Sequence, residues 1–439
     1  MIQTIDLRGT RPAPADLLAA VPRAATSVTV ASDVAAELID DVRARGELAL
    51  LDQAERLDRV RPEHVRVPAA HVADALAALD PAVRTAIEET IRRVRLASAA
   101  QVPPMVTTTI ADGAEIVQRW RPVQRVGLYV PGGKAVYPSS VVMNVVPAQV
   151  AGVTSIALAS PPQSHFGGRV HPTILAVAGL LGVDEIYAMG GAGAVGAFAY
   201  GVPGLDLDPV QLVTGPGNVY VAAAKRLVRG VTGIDSEAGP TDILVIADAE
   251  ADPAFVAADL VSQAEHDELA AAVLVTDSTE LAAAVEALLD TLVTTTTHSE
   301  RVAASLGGAQ SAIVLVDDLD QAAAFSNAFG PEHLEIQTSD PDAVLALIDN
   351  AGAIFLGPFA PVSLGDYAAG SNHVLPTGGQ ARFSAALGAY TFLRPQQVVR
   401  YSRDGLAGVA DHILALSQAE ALPAHGDAVS ARFPKPAER

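Results

Sequence analysis

"RVGLYVPGG" (125–133), "TSIALASPP" (154–162), "EIYAMGGAG" (185–193) and "VQLVTGPGN" (210–218) share one grammar. Each is a short apolar, β-rich run closed by a Gly- or Pro-marked turn, and Ala-rich stretches separate them. Runs of about four to eight such residues fit buried strands, and the stretches between them fit helices. The alternation predicts βαβ units around a parallel sheet covered on both faces. A second series follows: "TDILVIADA" (241–249), "AAVLVTDS" (271–278), "SAIVLVDD" (311–318), "LEIQ" (334–337) and "AGAIFLG" (351–357), with helices expected over 254–266, 279–290 and 320–328.

The fold class expected is therefore α/β, with two Rossmann-like halves at 115–235 and 236–385. A helical N-terminal region, 1–114, packs on them; within it 33–100 reads as helix with Pro-marked breaks at "RPEHVRVP" (61–68) and "LDPAV" (79–83). Asp80 and Pro81 make an N-cap and first-turn pair. The tail, 386–439, contains "DGLAGVADHILALSQAEALPAHGDAVSARF" (404–433), whose apolar residues 406, 409, 413 and 416 fall on one helical face before Pro423. It has too little apolar surface to form a core alone, so it docks on its own body or on a partner subunit.

The 439 residues allow two core-forming units, at roughly 100–200 residues per domain. A net charge of −21 opposes binding to nucleic acid or to an anionic membrane surface. The cluster Arg92, Arg93 and Arg95 belongs to a helix whose other face is Val83, Ile87, Ile91 and Val94, which is a solvated face. There is no cysteine, which excludes disulfides, thiolate metal ligands and a thiol nucleophile. An aldehyde oxidised by this chain cannot pass through a thiohemiacetal and needs water or another route. The most apolar stretch, "VVMNVVPAQVAGVTSIALA" (141–159), is interrupted by Asn144, Pro147 and Gln149, so no membrane span is expected and the location expected is cytoplasmic.

In "AFGPEHLEIQ" (328–337), Gly330 and Pro331 stop a helix and Glu332 and His333 follow side by side before a strand. Two adjacent acid/base groups serve one reaction or simply line a solvated turn. In "LVSQAEHD" (260–267), Gln263 and His266 lie three apart and Asp259 one turn behind, so a carbonyl oxygen and an imidazole nitrogen share a helix face. Such O and N donors suit a divalent metal; the same pattern also describes a polar helix end. The Gly-rich loop "PVSLGDYAAGSNHVLPTGG" (361–379) holds Asp366 and His373, and His425 follows Pro423 in the tail. "GGAGAVG" (190–196) matches G-x-G-x-x-G through Gly191, Gly193 and Gly196, but Asp206 and Asp208 come too early for the ribose-binding acid of that fingerprint. Three Gly-rich strand-to-helix turns in one half nevertheless offer N–H groups to a pyrophosphate.

Taken in order, "RVGLYVPGG", "TGPGNVYVAAAKR" (214–226), "AGPTDILVIAD" (238–248), "LVSQAEHD", "GPEHLEI" (330–336), "LGDYAAGSNHVLPTGG" (364–379) and "TFLRPQQVV" (391–399) resemble the histidinol dehydrogenase family over nearly the whole chain. The resemblance implies oxidation of L-histidinol to L-histidine through an unreleased aldehyde with two NAD⁺. It implies zinc held by Gln263, His266, Asp366 and His425, the last from the exchanged tail of the other subunit of a homodimer. Substrate contacts are implied at Thr241, Gln263, His266, His333, Asp366, His373, Glu420 and His425, and NAD contacts at Tyr129, Gly193 and Asn218. His333 is implied as the base for the alcohol proton, and Glu332 as the activator of water for the aldehyde step. Two positions depart from the family pattern: Gly193 stands where Gln is usual, and Thr241 where Ser is common. A relative acting on another amino or sulfonated alcohol is the alternative within the fold; a zinc hydrolase or a non-catalytic nucleotide-binding protein is the alternative outside it.

Overall fold

Strands built of unbroken apolar runs cannot leave either face in water, so each sheet needs helices on both sides. The computed structural model, which describes residues 2–23, 28–132, 136–237 and 239–433, meets this demand twice. Strand β1 (Gln3–Asp6) opens the chain, helices Val28–Arg45, Glu47–Leu57, Ala69–Ala77 and Pro81–Ala100 follow, and β2 (Val106–Ala111) and β3 (Ala114–Pro122) form a hairpin. Then β4 (Arg125–Tyr129), β5 (Ser155–Ser160), β6 (Ile186–Ala188), β7 (Leu212–Thr214) and β8 (Gly233–Ile234) build a parallel sheet in the order β6-β5-β4-β7-β8. The strands β9 (Asp242–Ala247), β10 (Ala271–Thr276), β11 (Ala312–Leu315), β12 (His333–Gln337) and β13 (Ala353–Leu356) build a second, in the order β1-β11-β10-β9-β12-β13. In both sheets the order reverses beside the first strand of the set, as in doubly wound folds. β14 (Leu393–Tyr401) pairs antiparallel with β3.

The second sheet shows why both faces read as apolar. Leu244, Ile246, Val273 and Val275 pack with Phe325 and Phe329 on one side. Ile243, Val245 and Leu274 pack with Val256 and Leu260 on the other. Asp80 caps its helix as its sequence position implies, accepting from the N–H groups of Ala82 and Val83.

The chain divides into two units, Met1–Gln101 with Val123–Phe392, and Val102–Pro122 with Leu393–Arg439. The first holds both parallel sheets. The second is the three-stranded sheet β14-β3-β2 followed by helices Arg403–Ala407, Ala410–Ala419 and Pro423–Ser430. No described helix is long and apolar enough to cross a membrane.

Several local expectations need correction. Region 1–114 is not purely helical: β1 is an edge strand paired on one side only, to β11, and β2 belongs to the small sheet. A four-residue edge strand carries too short a pattern to announce itself. The helix expected over 254–266 is Pro253–Ala264, so His266 lies beyond its cap. Asp366 is not in loop; it sits in the short helix Val362–Tyr367. The tail's apolar face is interrupted at Gly408, Leu416 is 63% exposed, and Pro423 starts a helix where it was expected only to end one.

One buried ion pair holds the turn after β7. Lys225 Nζ donates to Asp235 Oδ1 at 2.5 Å and to the Gly215 carbonyl at 2.5 Å, while Asp235 Oδ2 accepts from Gly215 N at 2.8 Å. The two side chains are 1% and 4% exposed. Removing one partner strands the other charge, so Lys225→Met is expected to cost about 3–5 kcal/mol. The double variant Lys225→Met/Asp235→Asn should recover much of that loss, read as thermal midpoints of the two proteins.

Candidate active site

Gly330 ends the helix Leu319–Phe329 in the left-handed conformation, φ 58°, and Pro331 prevents its continuation. The chain then enters β12 at His333, which pairs with Ile243 of β9. Glu332 and His333 are thereby delivered to the start of β9, where Asp242 meets both. The Glu332 N–H donates to Asp242 Oδ1 at 2.7 Å, and the Asp242 N–H donates back to Glu332 Oε2 at 3.1 Å. His333 Nδ1 lies 3.0 Å from the Asp242 carbonyl, which can only accept, so Nδ1 carries the hydrogen and Nε2 keeps a free lone pair. Arg23 in turn pairs with Asp242 Oδ2 and lies over the Phe329 ring at 4.0 Å.

Thr241, just before β9, fixes the next layer. Its hydroxyl donates to Glu332 Oε2 at 2.6 Å and is therefore left to accept from Gln263 Nε2, also at 2.6 Å. That turns Gln263 Oε1 away, and this buried oxygen has no partner among the described residues. Gln263 lies in the last turn of Pro253–Ala264, and the His266 N–H continues the turn onto the Gln263 carbonyl at 3.2 Å. Burial holds the His266 imidazole below its ordinary pKa against the opposing pull of Asp366, and the charge of His333 adds to the lowering. A neutral imidazole, an orphaned amide oxygen and a carboxylate form a donor set that suits a divalent metal. The C-terminal end of a helix favours a cation there as well. Among the described residues no three His, Asp or Glu side chains converge as a metal site; the amide of Gln263 is outside that class of donor.

His373 is placed by both halves of the first unit. Its Nδ1 lies 2.9 Å from the Asp366 carbonyl and its Nε2 lies 3.0 Å from Ser140 Oγ, on the helix Pro138–Ala151 that follows β4. Nδ1 therefore donates and Nε2 accepts, and burial lowers its pKa. Asn372 beside it donates to the Met143 carbonyl at 2.7 Å.

The Glu332 carboxyl is pushed up to about 7, chiefly by burial, with Asp242 adding to the rise and His333 and the Thr241 hydroxyl opposing it. A carboxylate so placed sits near the pH at which a general base works best. Its ionisation also opposes folding. From the ordinary value near 4.5 up to about 7 the folded state binds the extra proton, so stability falls as pH rises through that window.

Tyr129 ends β4, buried, with its hydroxyl accepting from Gly191 N at 3.2 Å. Burial pushes its phenol up to about 12. Gly193 lies in the first turns of the helix Gly191–Tyr200, and Asn218 caps Val219–Val228 by accepting from Tyr220 N and Val221 N at 3.1 and 3.2 Å. These three residues thus border the C-terminal edge of β4, β6 and β7, beside the point where the first sheet reverses direction, where doubly wound folds take nucleotides. Glu420 and His425 belong to the second unit, and both are exposed. Sequence reasoning did not single out Asp242 or Ser140. Asp242 is a lone acid at the head of an otherwise apolar strand, a signal that was available; Ser140 had none.

A family model for histidinol dehydrogenase matches residues 21–433. The chain belongs to the histidinol dehydrogenase family. The family name denotes an NAD-dependent oxidoreductase of histidine biosynthesis, and membership gives the chain that class of chemistry. It is 68% identical over 432 residues to a histidinol dehydrogenase of Leifsonia xyli subsp. xyli, covering 98% of this chain and 99% of that relative. It is 58% identical to the Thermobifida fusca histidinol dehydrogenase over 99% of this chain and 98% of the other. The crystal structure of a histidinol dehydrogenase from Elizabethkingia anophelis superposes with a TM-score of 0.92 at 30% identity, covering 98% of both chains.

Because the Thr241 hydroxyl lowers the Glu332 pKa, Thr241→Val is expected to move the Glu332-dependent limb of the pH–rate profile to higher pH. Thr241→Ser should leave it in place. Initial rates of NADH formation between pH 6 and 9, on the order of three units around neutrality, distinguish the two.

Proposed function

We propose that Glu332 and His333 divide a four-electron oxidation of L-histidinol to L-histidine between them, in a site completed by zinc and by the tail of a second copy of the chain. The observation that carries this reading is the shared anchoring of both groups on Asp242, which leaves His333 Nε2 and the Glu332 carboxylate as two separate bases at one place.

Gln263, His266 and Asp366 would hold the zinc, with His425 of the second copy as the fourth protein donor; the orphaned Gln263 Oε1 and the low-pKa His266 fit that role. Zinc, when bound, would orient the imidazole and amino nitrogens of the substrate. NAD⁺, when bound near Tyr129, Gly193 and Asn218, supplies the hydride acceptor for both oxidations.

The rest is the work of the side chains. His333 Nε2 takes the hydroxyl proton of the alcohol as the carbinol hydride departs, giving the aldehyde. Glu332, ionised, takes a proton from water as its oxygen adds to the aldehyde carbon, while protonated His333 returns its proton to the carbonyl oxygen, giving the gem-diol and freeing Nε2 again. His333 then takes a diol proton as the second hydride departs, and the acid results. The absence of any cysteine agrees with water as the nucleophile. His373, neutral and held between Asp366 and Ser140, keeps the substrate pocket's wall in register, and Thr241 holds Glu332. Glu420 of the second copy would meet the substrate amino group.

The test is NADH yield per L-histidinol consumed, with and without a chelator. Two NADH, lost with chelator and restored by zinc, are expected; one NADH would show that the aldehyde escapes and that Glu332 does not perform its step. Glu332→Gln should slow oxidation of L-histidinal about 10²–10⁴-fold and affect alcohol oxidation much less. Equal losses in both half-reactions would remove the division of labour. Mixing Gln263→Ala and His425→Ala subunits should restore part of the activity that each lacks alone, because one of the two sites in a mixed dimer then has all its ligands. A mixed dimer shown by mass to form, and still inactive, would rule out a shared site.

A further inference from the structure

Face alternation on β12 places His333, Glu335 and Gln337 on one side of the strand, and spacing on the helix Pro253–Ala264 places Asp259 one turn before Gln263. These two polar stripes face one another in an otherwise apolar layer. Gln337 Nε2 donates to Asp259 Oδ2 at 3.0 Å and to Glu335 Oε2 at 2.9 Å. The Val362 N–H, at the start of the helix that carries Asp366, donates to Glu335 Oε1 at 2.8 Å. One amide nitrogen thus bridges the two carboxyls, which sit side by side in this layer. Two like charges held this close, with Glu335 buried, ionise together only at a large cost, so one of the two carboxyls keeps its proton.

We infer that Asp259 and Glu335 share one proton and act as a positioning clamp, fastening the Gln263 helix and the Asp366 helix to the strand that carries His333. The clamp is two residues from His333 along β12, one turn from Gln263, and at the first residue of the Val362–Tyr367 helix. It thus joins the three elements whose relative placement the reaction needs, without touching substrate. Burial raises both carboxyls, and at Glu335 the neighbouring Asp259 charge raises it further. The groups that bond to the pair from outside, the Gln337 amide and the Val362 N–H, are neutral donors, so no cation replaces the shared proton in these bonds.

The proton is read directly in the metal-free protein as the carbonyl stretch of a protonated carboxylic acid, in the infrared spectrum of wild type minus Glu335→Gln. A pH of about 8 is suitable because less strongly raised carboxyls are by then ionised. A band is expected; its absence would overturn the shared proton. The positioning part rests on the metal-dependent reading above and is measured as zinc affinity by competition with a chromophoric chelator. Glu335→Gln, which keeps a donor for an ionised Asp259, should hold zinc and L-histidinol within about twofold of wild type. Asp259→Ala, at a partly exposed position where folding is least at risk, should weaken zinc about tenfold and raise the KM for L-histidinol more than it lowers kcat. A Gln variant as weak as Asp259→Ala, or an Asp259→Ala variant with zinc affinity and KM unchanged, would overturn the clamp. A wild-type chain that takes up no zinc would count against the metal reading alone; the KM of Asp259→Ala then decides the clamp.

Discussion

Asp242 is a buried acid at the first position of a strand, and its peptide group and side chain together make four bonds that the site depends on. Its carboxylate receives Arg23 and the Glu332 N–H, its own N–H serves the Glu332 carboxylate, and its carbonyl takes the hydrogen of His333 Nδ1. A buried carboxylate is tolerated only when its oxygens are satisfied, and here the groups that satisfy it include the backbone N–H of Glu332. The tautomer of His333 and the orientation of Glu332 therefore follow from the same constraint that keeps β9 and β12 in register.

Ligands of doubly wound sheets gather at the carboxyl ends of the strands. In the first sheet, Tyr129, Gly193 and Asn218 lie at that edge. In the second, the polar cluster lies at the opposite end. Thr241, Asp242, Glu332 and His333 lie at the amino ends of β9 and β12. The reason is visible in the helix that returns between β9 and β10. It runs opposite to the strands, so its C-terminal turn, with Gln263 and the following His266, arrives at their amino ends. The negative end of a helix is a poor place for a pyrophosphate and a good one for a cation. The two halves thus divide by polarity, and the bonds from His373 to Ser140 and from Asn372 to the Met143 carbonyl join them.

Much of this was legible in the sequence for a physical reason: strands buried on both faces must be apolar throughout, and the turns that follow need Gly or Pro. The acid/base pair at 332–333 and the Gln263–His266 spacing stood out because polar residues interrupt apolar runs there. Glu335 and Gln337 interrupt the same strand, yet "LEIQ" alternates like an ordinary half-exposed strand, so nothing in the alternation marks that this polar face is buried against Asp259. β1 escaped because an edge strand needs few residues. The tail escaped because a helical face can be drawn across Gly408 on paper while the backbone breaks there.

At Gly193 the packing leaves no room for a side chain. A Cβ built on it would lie 2.1 Å from Gln53 Oε1, a side chain that is 6% exposed and whose amide donates to the Leu38 carbonyl at 3.0 Å. The space in which a longer residue at 193 would begin is thus already filled, by a glutamine reaching over from the helix Glu47–Leu57. Gly193 leaves no cavity behind, and the helix Gly191–Tyr200 packs close against the N-terminal helices there. A glutamine at 193 would force Gln53 out of a buried, hydrogen-bonded position, so this packing accepts a side chain there only if Gln53 finds another partner.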